Sequence, residues 1–447
     1  MTTASQKLAQ FAASLKFEDI PAPVVERARA SIIDTVAACA FGAQLPWSRI
    51  IAAYGERNSP PGRAGVIGTK LKLHAPFAAL ANGAAAHAFE MDSLVHPSVG
   101  VHPGASLTAP GLAAAQVHRS TGRDLLAAFV AGSEVMYRIG DAARHTSEKI
   151  GFHAPGLTGV FGGAVAAGRL NGLDAGRMAL ALGISGSLCS GLLEFSTSGG
   201  GMVKRLHLGR AAEGGVMAAV LARDGFTGPA EVFEGKFGFL TAFARDAEPE
   251  RLIAGLDTTW NTLKIMLKRY ACHITAHIPV TAALALKAEH GIKGGDVASI
   301  AIAGGEKMVS HHNIPEPQDM AMAQYSTPFC VALAFHRDPL DPRSFSEESL
   351  NDPAIRALAK TAKVSLRQTA PGDHALVSRV TVKLKDGREL AREEREFPGM
   401  PSRPLTGKEL ADKFLRLTRG VLSSPEALLE QLLELEMVDN CETLDFT

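Results

Sequence analysis

From the N-terminus to about Leu256, apolar side chains recur at intervals of three and four, the spacing that gathers them on one face of a helix. Over residues 23–41, Val25, Ala28, Ile32, Val36 and Cys39 share a face while Glu26, Arg27 and Asp34 fall elsewhere. Over residues 123–139 the stripe is Leu126, Phe129, Val130, Ser133 and Tyr137. Further helices are expected at 76–89, 105–120, 158–170, 177–193 and 211–223, with glycine as the recurrent stop. Alanine and glycine abound and aromatics make up 6% of the chain, so these helices can approach closely and form a bundle.

After Leu256 the texture changes. Residues 297–303 and 377–384 alternate in β-branched side chains, and Asp386-Gly387 signals a hairpin into 389–396. Helices are expected at 278–290, ahead of the first strand, and at 321–336, between the two, so this region reads as α+β. Thr406 with Glu409 forms a capping box, and Ser424-Pro425 opens a helix carrying Leu428, Leu429, Leu432 and Leu433. The expected fold is mainly α, with a large all-helical domain from residues 1–256 and 404–447 and a smaller α+β domain from 257–403.

Lys plus Arg and Asp plus Glu are 46 each, so there is no general field to hold a nucleic-acid backbone or an anionic membrane. Five cysteines without a C-x-x-C pair argue against a zinc knuckle or a disulfide framework and fit a reducing cytoplasm. The N-terminal stretch lacks the pattern of a signal peptide, and no run of about 18 apolar residues occurs. The expectation is a cytoplasmic protein with any anion site built locally.

Four polar clusters interrupt the apolar pattern. Residues 87–104 hold His87, Glu90, Asp92, His96 and His102 in a Pro- and Gly-restrained stretch, a supply of general acids and bases near neutrality. The same residue types can ligate a metal, but their spacing matches neither H-E-x-x-H nor a facial triad, and they can also simply cap the adjoining helices. Gly151-Phe152-His153 enters a Gly-rich helix, where His153 can face a carboxylate at a helix N-terminus or act as a cap. Residues 198–209 put three glycines before Lys204, Arg205 and His207, either a carboxylate clamp or a solvated basic loop. Residues 268–277 place Lys268, His273 and His277 ahead of a helix, and Cys272 among them is read as structural.

In this order the clusters resemble the MmgE/PrpD family: His87–Ser93 for its H-x-L-D-x-D-D, His102-Pro-Gly, Gly151-Phe-His153, Lys204 through Ala212, and Lys268 through His273 to His277. Weaker matches are Gly132 through Gly140, containing Arg138, and Thr227-Gly-Pro with Phe233 through Gly238. The resemblance implies a helical domain built from both chain ends, a smaller α+β lid with the active site between them, and a homodimer. It implies catalytic roles for His102, His153, His273 and an acid at Glu90 or Asp92, and substrate binding by Lys204, Lys268, Arg138, Arg205 and His277. The family's Tyr or Phe position in the lid falls at Phe329, which removes a hydroxyl. The implied substrate is a small polycarboxylate, with no cofactor, no metal, no nucleic acid and no membrane. Dehydration of the 2-methylcitrate type ranks first; decarboxylation of the cis-aconitate type or epimerisation of the iminodisuccinate type ranks second, and a non-catalytic polycarboxylate-binding protein third.

Overall fold

A computed structural model describes residues 2–97, 100–196 and 200–447. The chain is mainly α and divides into two compact units. The first comprises Met1–Ala88, Asp92–Leu267 and Thr406–Thr447; the second comprises Phe89–Met91 and Lys268–Leu405. No helix among the described residues is long and apolar enough to cross a membrane.

In the first unit, helix Met202–Arg223 packs along helices Ala75–Ala86 and Ala154–Leu170. Small residues set the spacing: a Cβ on Gly83 would lie 2.9 Å from the Leu208 carbonyl oxygen, and one on Gly215 would lie 2.6 Å from the Gly163 carbonyl carbon. Either methyl would push two backbones apart. Helices Ala22–Ala43 and Gly122–Ala143 carry the expected stripes inward, and the second starts at a Thr121–Asp124 capping box. Thr406 and Glu409 form the expected box ahead of helix Gly407–Thr418, and Pro425 opens helix Pro425–Leu433.

Three elements depart from expectation here, the first being the helix expected over 177–193, which is Ala175–Ser185 and stops eight residues early. The helix expected from 105 is a π-helical turn, Gly104–Thr108, followed by the α-helix Ala109–His118. Pro110 has no N–H to return to Ser106, and a widened turn accommodates the missing bond. The helix expected from 211 begins nine residues earlier at Met202, so Lys204 and Arg205 sit in its first turn and are buried rather than lying on a basic loop. Ser198 and Gly199, counted in that loop, lie outside the described residues.

Arg138, expected to bind substrate, lies in a buried network. It is 2% exposed, and its Nη1 lies 2.6 Å from Glu134 Oε2 while Nη2 donates to the carbonyls of Gly255 (2.9 Å) and Thr259 (3.2 Å). Glu134 Oε1 accepts from Thr262 N (2.7 Å) and Thr262 Oγ1 (2.8 Å). One buried ion pair thus ties the irregular 255–262 segment to helix Gly122–Ala143.

In the second unit a four-stranded sheet has the order Lys363–Leu366, Val297–Gly304, Ser378–Leu384, Glu389–Glu394, the first pair parallel and the others antiparallel. Gly387, at φ +91°, supplies the left-handed residue of the expected hairpin. Helix Ile274–His290 lies against this sheet and against helix Thr327–His336. The single helix expected over 321–336 is two, Met320–Tyr325 and Thr327–His336. Pro328 cannot donate to the Gln324 carbonyl, which accepts from His273 N at 2.8 Å instead, and the Ser326 hydroxyl caps the new helix through Phe329 N at 3.0 Å.

Candidate active site

Asp92 is the centre of the first unit's polar cluster. It is fully buried, and its Oδ2 accepts from His87 Nδ1 at 2.8 Å and from His102 Nδ1 at 2.7 Å. An ionised carboxylate only accepts, so both imidazoles carry a proton on Nδ1, and Nε2 of each is the free position when the ring is neutral. Burial works to raise the Asp92 carboxyl, but the two imidazoles hold it well below the usual carboxylate range. Burial pushes His87 down to about 3 against the pull of Asp92. The two histidines differ in access: the His87 side chain is 1% exposed and that of His102 16%. His102 is the imidazole of the pair that a small molecule can reach.

The sequence keeps this geometry local. Ser93, next to Asp92, accepts from Gly104 N at 2.9 Å and touches Ser31 at 3.2 Å, closing the loop from 92 to 104 onto the helix Ala22–Ala43. A Cβ on Gly104 would sit 2.3 Å from Thr35 Oγ1, so only glycine allows that closure.

His153 stands at the N-terminus of helix Ala154–Leu170, but its side chain makes no cap bond. Its Nδ1 lies 3.0 Å from His207 Nδ1, and its ring centroid is 5.9 Å from that of His87. Burial, then the neighbouring imidazoles, push His153 well below the usual histidine range; burial and Lys204 lower His207. Lys204, one turn before His207, is buried in the same unit, and its charge also lowers His87. Arg205 stacks 4.7 Å above the Trp47 ring and donates to the carbonyls of Ala88 (3.2 Å) and Gly201. Stacking and carbonyl bonds fix the position of the Arg205 guanidinium.

The second unit gathers another set. Lys268 Nζ lies 2.9 Å from Glu90 Oε2, both buried, and Tyr325 Oη donates to Glu90 Oε1 at 3.4 Å. Glu90 has φ +57°, a left-handed conformation seldom taken by residues other than glycine and held here by these partners. His273 stacks on His312 with centroids 4.1 Å apart and on Tyr325 at 4.9 Å. Glu90 and Asp92, read as alternatives for one acid, thus have different partners: a lysine for Glu90, two histidines for Asp92. Phe329 is wholly buried in helix Thr327–His336, and the Tyr325 hydroxyl that meets Glu90 stands at the helix break. His277, expected to bind substrate, is fully buried against Phe397 and Tyr270 and lies 3.7 Å from Cys272 Sγ. Burial alone would raise the Cys272 thiol; Cys330, His277 and Lys268 bring it down to about 5.

Sequence reasoning named His207 in the Lys204 cluster without giving it a role, and passed over Tyr325 and His312. His207 carried a signal, standing three residues after Lys204 on one helix face. Tyr325 and His312 carried none, since a helix break and a ring stack bring them to Glu90 and His273.

His87, Asp92 and His102 are also a group that could hold a metal ion, with ligand atoms within 4.8 Å of one another. Both Nδ1 atoms are, however, at hydrogen-bond distance from a single carboxylate oxygen, which suits N–H donors rather than lone pairs directed at an ion.

The depressed imidazoles make stability depend on pH. His87, His153 and His312 stay neutral in the fold, whereas the same groups in the unfolded chain take up protons near pH 6.5. The unfolded state then binds more protons, so stability is full above about pH 6.5 and falls as pH drops towards the folded values, about 3 for His87 and His312. Each buried imidazole contributes up to about 1.4 kcal/mol per pH unit. Urea titrations between pH 8 and 5 should show unfolding free energy dropping below pH 6.5, ahead of most carboxylates; a flat profile would mean that these rings are charged in the fold.

The MmgE/PrpD N-terminal domain matches residues 6–252 and the MmgE/PrpD C-terminal domain matches residues 270–437, and together they account for most of the chain. The chain belongs to the MmgE/PrpD family and is an enzyme of that family. Its relatives include the cis-aconitate decarboxylase of Aspergillus terreus, 30% identical over 444 residues that span 93% of this chain and 89% of that one. The cis-aconitate decarboxylase of Homo sapiens is 28% identical over 447 residues, 96% of this chain and 91% of that one, so the similarity extends through both units.

Proposed function

We propose that the protein is a metal-independent lyase that decarboxylates a small unsaturated polycarboxylate of the cis-aconitate type. The observation that carries this reading is the Asp92–His102 pair: a reachable imidazole whose Nδ1 is anchored on a buried carboxylate and whose Nε2 is left for proton transfer. Decarboxylation takes precedence over the dehydration ranked first from the sequence, because the relatives that match along nearly the whole chain are named for it.

In cis-aconitate one carboxylate sits on a CH₂ next to the double bond. Breaking its C–C bond releases carbon dioxide, and the electron pair becomes a new double bond to the central carbon. The original π pair moves to the outer carbon beside another carboxylate, where a proton must be added. His102, charged at that moment and stabilised by Asp92, supplies the proton from Nε2 and recovers it from water. Lys204 binds a retained carboxylate, where charge accumulates in the transition state. The buried surroundings of Asp92 and His87 strip water from the group that leaves.

The test is incubation of the purified protein in deuterated water with cis-aconitate, 2-methylcitrate, citrate and iminodisuccinate, followed by proton NMR. The expected result is loss of carbon dioxide from cis-aconitate with one deuterium in the product, unchanged after exhaustive chelation with EDTA. Water loss from 2-methylcitrate alone would restore the dehydratase, loss of activity on chelation with recovery on one divalent ion would overturn metal independence, and binding without turnover would leave a binding protein.

Replacing Lys204 by alanine should weaken substrate binding by about 2–5 kcal/mol, the cost of leaving a desolvated carboxylate without its cation. Calorimetric titration with cis-aconitate measures this, with circular dichroism as the control for folding. Affinity within twofold of wild type would remove Lys204 from the substrate site.

A further inference from the structure

The proton chemistry proposed above does not use His207, yet the structure builds around it. Its Nδ1 faces His153 Nδ1 at 3.0 Å, and Phe195 sets its ring against both imidazoles, at 5.3 Å from His153 and 5.9 Å from His207. Gly191, at φ +137°, leaves the space the His207 ring occupies: a Cβ there would lie 3.2 Å from its Cγ and Nδ1. The same Gly191 accepts from His153 N at 2.9 Å, so one residue fixes the backbone of one histidine and the ring position of the other.

Two Nδ1 atoms at hydrogen-bond distance between neutral rings share one proton: one ring donates and the other accepts. Free imidazole prefers its proton on Nε2, so one of the two must adopt the less common tautomer. That role falls to the ring whose Nε2 lone pair water can reach. His207 is partly exposed and His153 is buried. His207 therefore donates from Nδ1, and His153 keeps its own proton on Nε2.

We propose that His207 is a positioning residue: through its Nδ1–H it holds His153 in the Nε2–H tautomer, so that His153 offers a substrate carboxylate a hydrogen-bond donor and not a base. The pairing complements the other side of the cluster, where Asp92 fixes His102 with its proton on Nδ1 and its Nε2 free. Two histidines that sequence reasoning treated as equivalent candidates for proton transfer are thereby given opposite polarity by their partners. The functional half of this statement rests on the polycarboxylate reading above; the tautomeric half does not.

The test separates the two. Two-bond proton–nitrogen correlation spectra of the substrate-free, ¹⁵N-histidine-labelled protein report the tautomer of each ring, with His153 assigned by its loss in His153→Gln. Wild type should show His153 protonated on Nε2. His207→Asn, whose amide N–H can replace the Nδ1–H donor, should keep that pattern and hold kcat/KM within about tenfold. His207→Asp, which can only accept, should move the His153 proton to Nδ1 and lower kcat/KM by about 10–100-fold or more, the loss of a hydrogen bond to a charged group. If wild-type His153 carries its proton on Nδ1, or if the Asp variant matches the Asn variant in both spectrum and kcat/KM, the positioning role is overturned. If no polycarboxylate is turned over by wild type, the functional reading fails while the spectra still decide what His207 does.

Discussion

His102→Asn should keep the fold and bind ligand, and should lower turnover by about 10²–10⁴, the range expected on removing a general acid or base. Asparagine can still donate to Asp92 from its amide, so the buried carboxylate is not left without that partner and the loop from 92 to 104 keeps its closure. What is lost is the titratable Nε2. His96→Asn provides the comparison: His96 is half-buried in the same loop but lies outside the His102-Pro-Gly stretch that matches the family motif, and its replacement should cost little. Steady-state kinetics on cis-aconitate with matched thermal melts measures both. Equal losses in the two variants, or unfolding of His102→Asn, would return the loop to a structural role.

The largest effect on stability is expected at Glu134. Its carboxylate, 1% exposed, balances Arg138 at 2.6 Å and accepts from Asn261 and Thr262. Glu134→Ala leaves a buried guanidinium without its counter-charge and releases the 255–262 segment, a cost of about 3–5 kcal/mol. Replacing both partners by apolar residues of similar volume, Glu134→Leu with Arg138→Met, should recover a good part of that loss, because no charge then remains to be desolvated. Chemical denaturation of the three proteins decides the matter. A single-variant cost under about 1 kcal/mol would show that solvent reaches the pair, and Arg138 would again be open to a ligand role.

Local patterns were legible where one segment's own side chains settle its structure. The stripe Val25, Ala28, Ile32 and Val36 specifies an amphipathic helix whatever it packs on, and Ala22–Ala43 is that helix. Thr406 with Glu409, and Asp386-Gly387 between alternating strands, work the same way, because a cap or a turn is satisfied within a few residues. The order of His102, His153, Lys204 and Lys268 along the chain was enough to suggest the family that the domain matches then established.

The sequence by itself therefore determined the helices, the hairpin, the caps and the family, since each depends on neighbours in the chain or on the order of motifs. Only the tertiary structure decided which polar residue faces which. Glu90 and Asp92 are two residues apart, yet one meets Lys268 and the other His87 and His102. Arg138 is met by Glu134 and by the Gly255 and Thr259 carbonyls, and the break at Ser326 brings Tyr325 to Glu90. The reason is electrostatic: a buried charge or imidazole takes its protonation state and its role from groups within about 4 Å, and Lys268 for Glu90 or the Gly255 and Thr259 carbonyls for Arg138 come from distant positions in the chain.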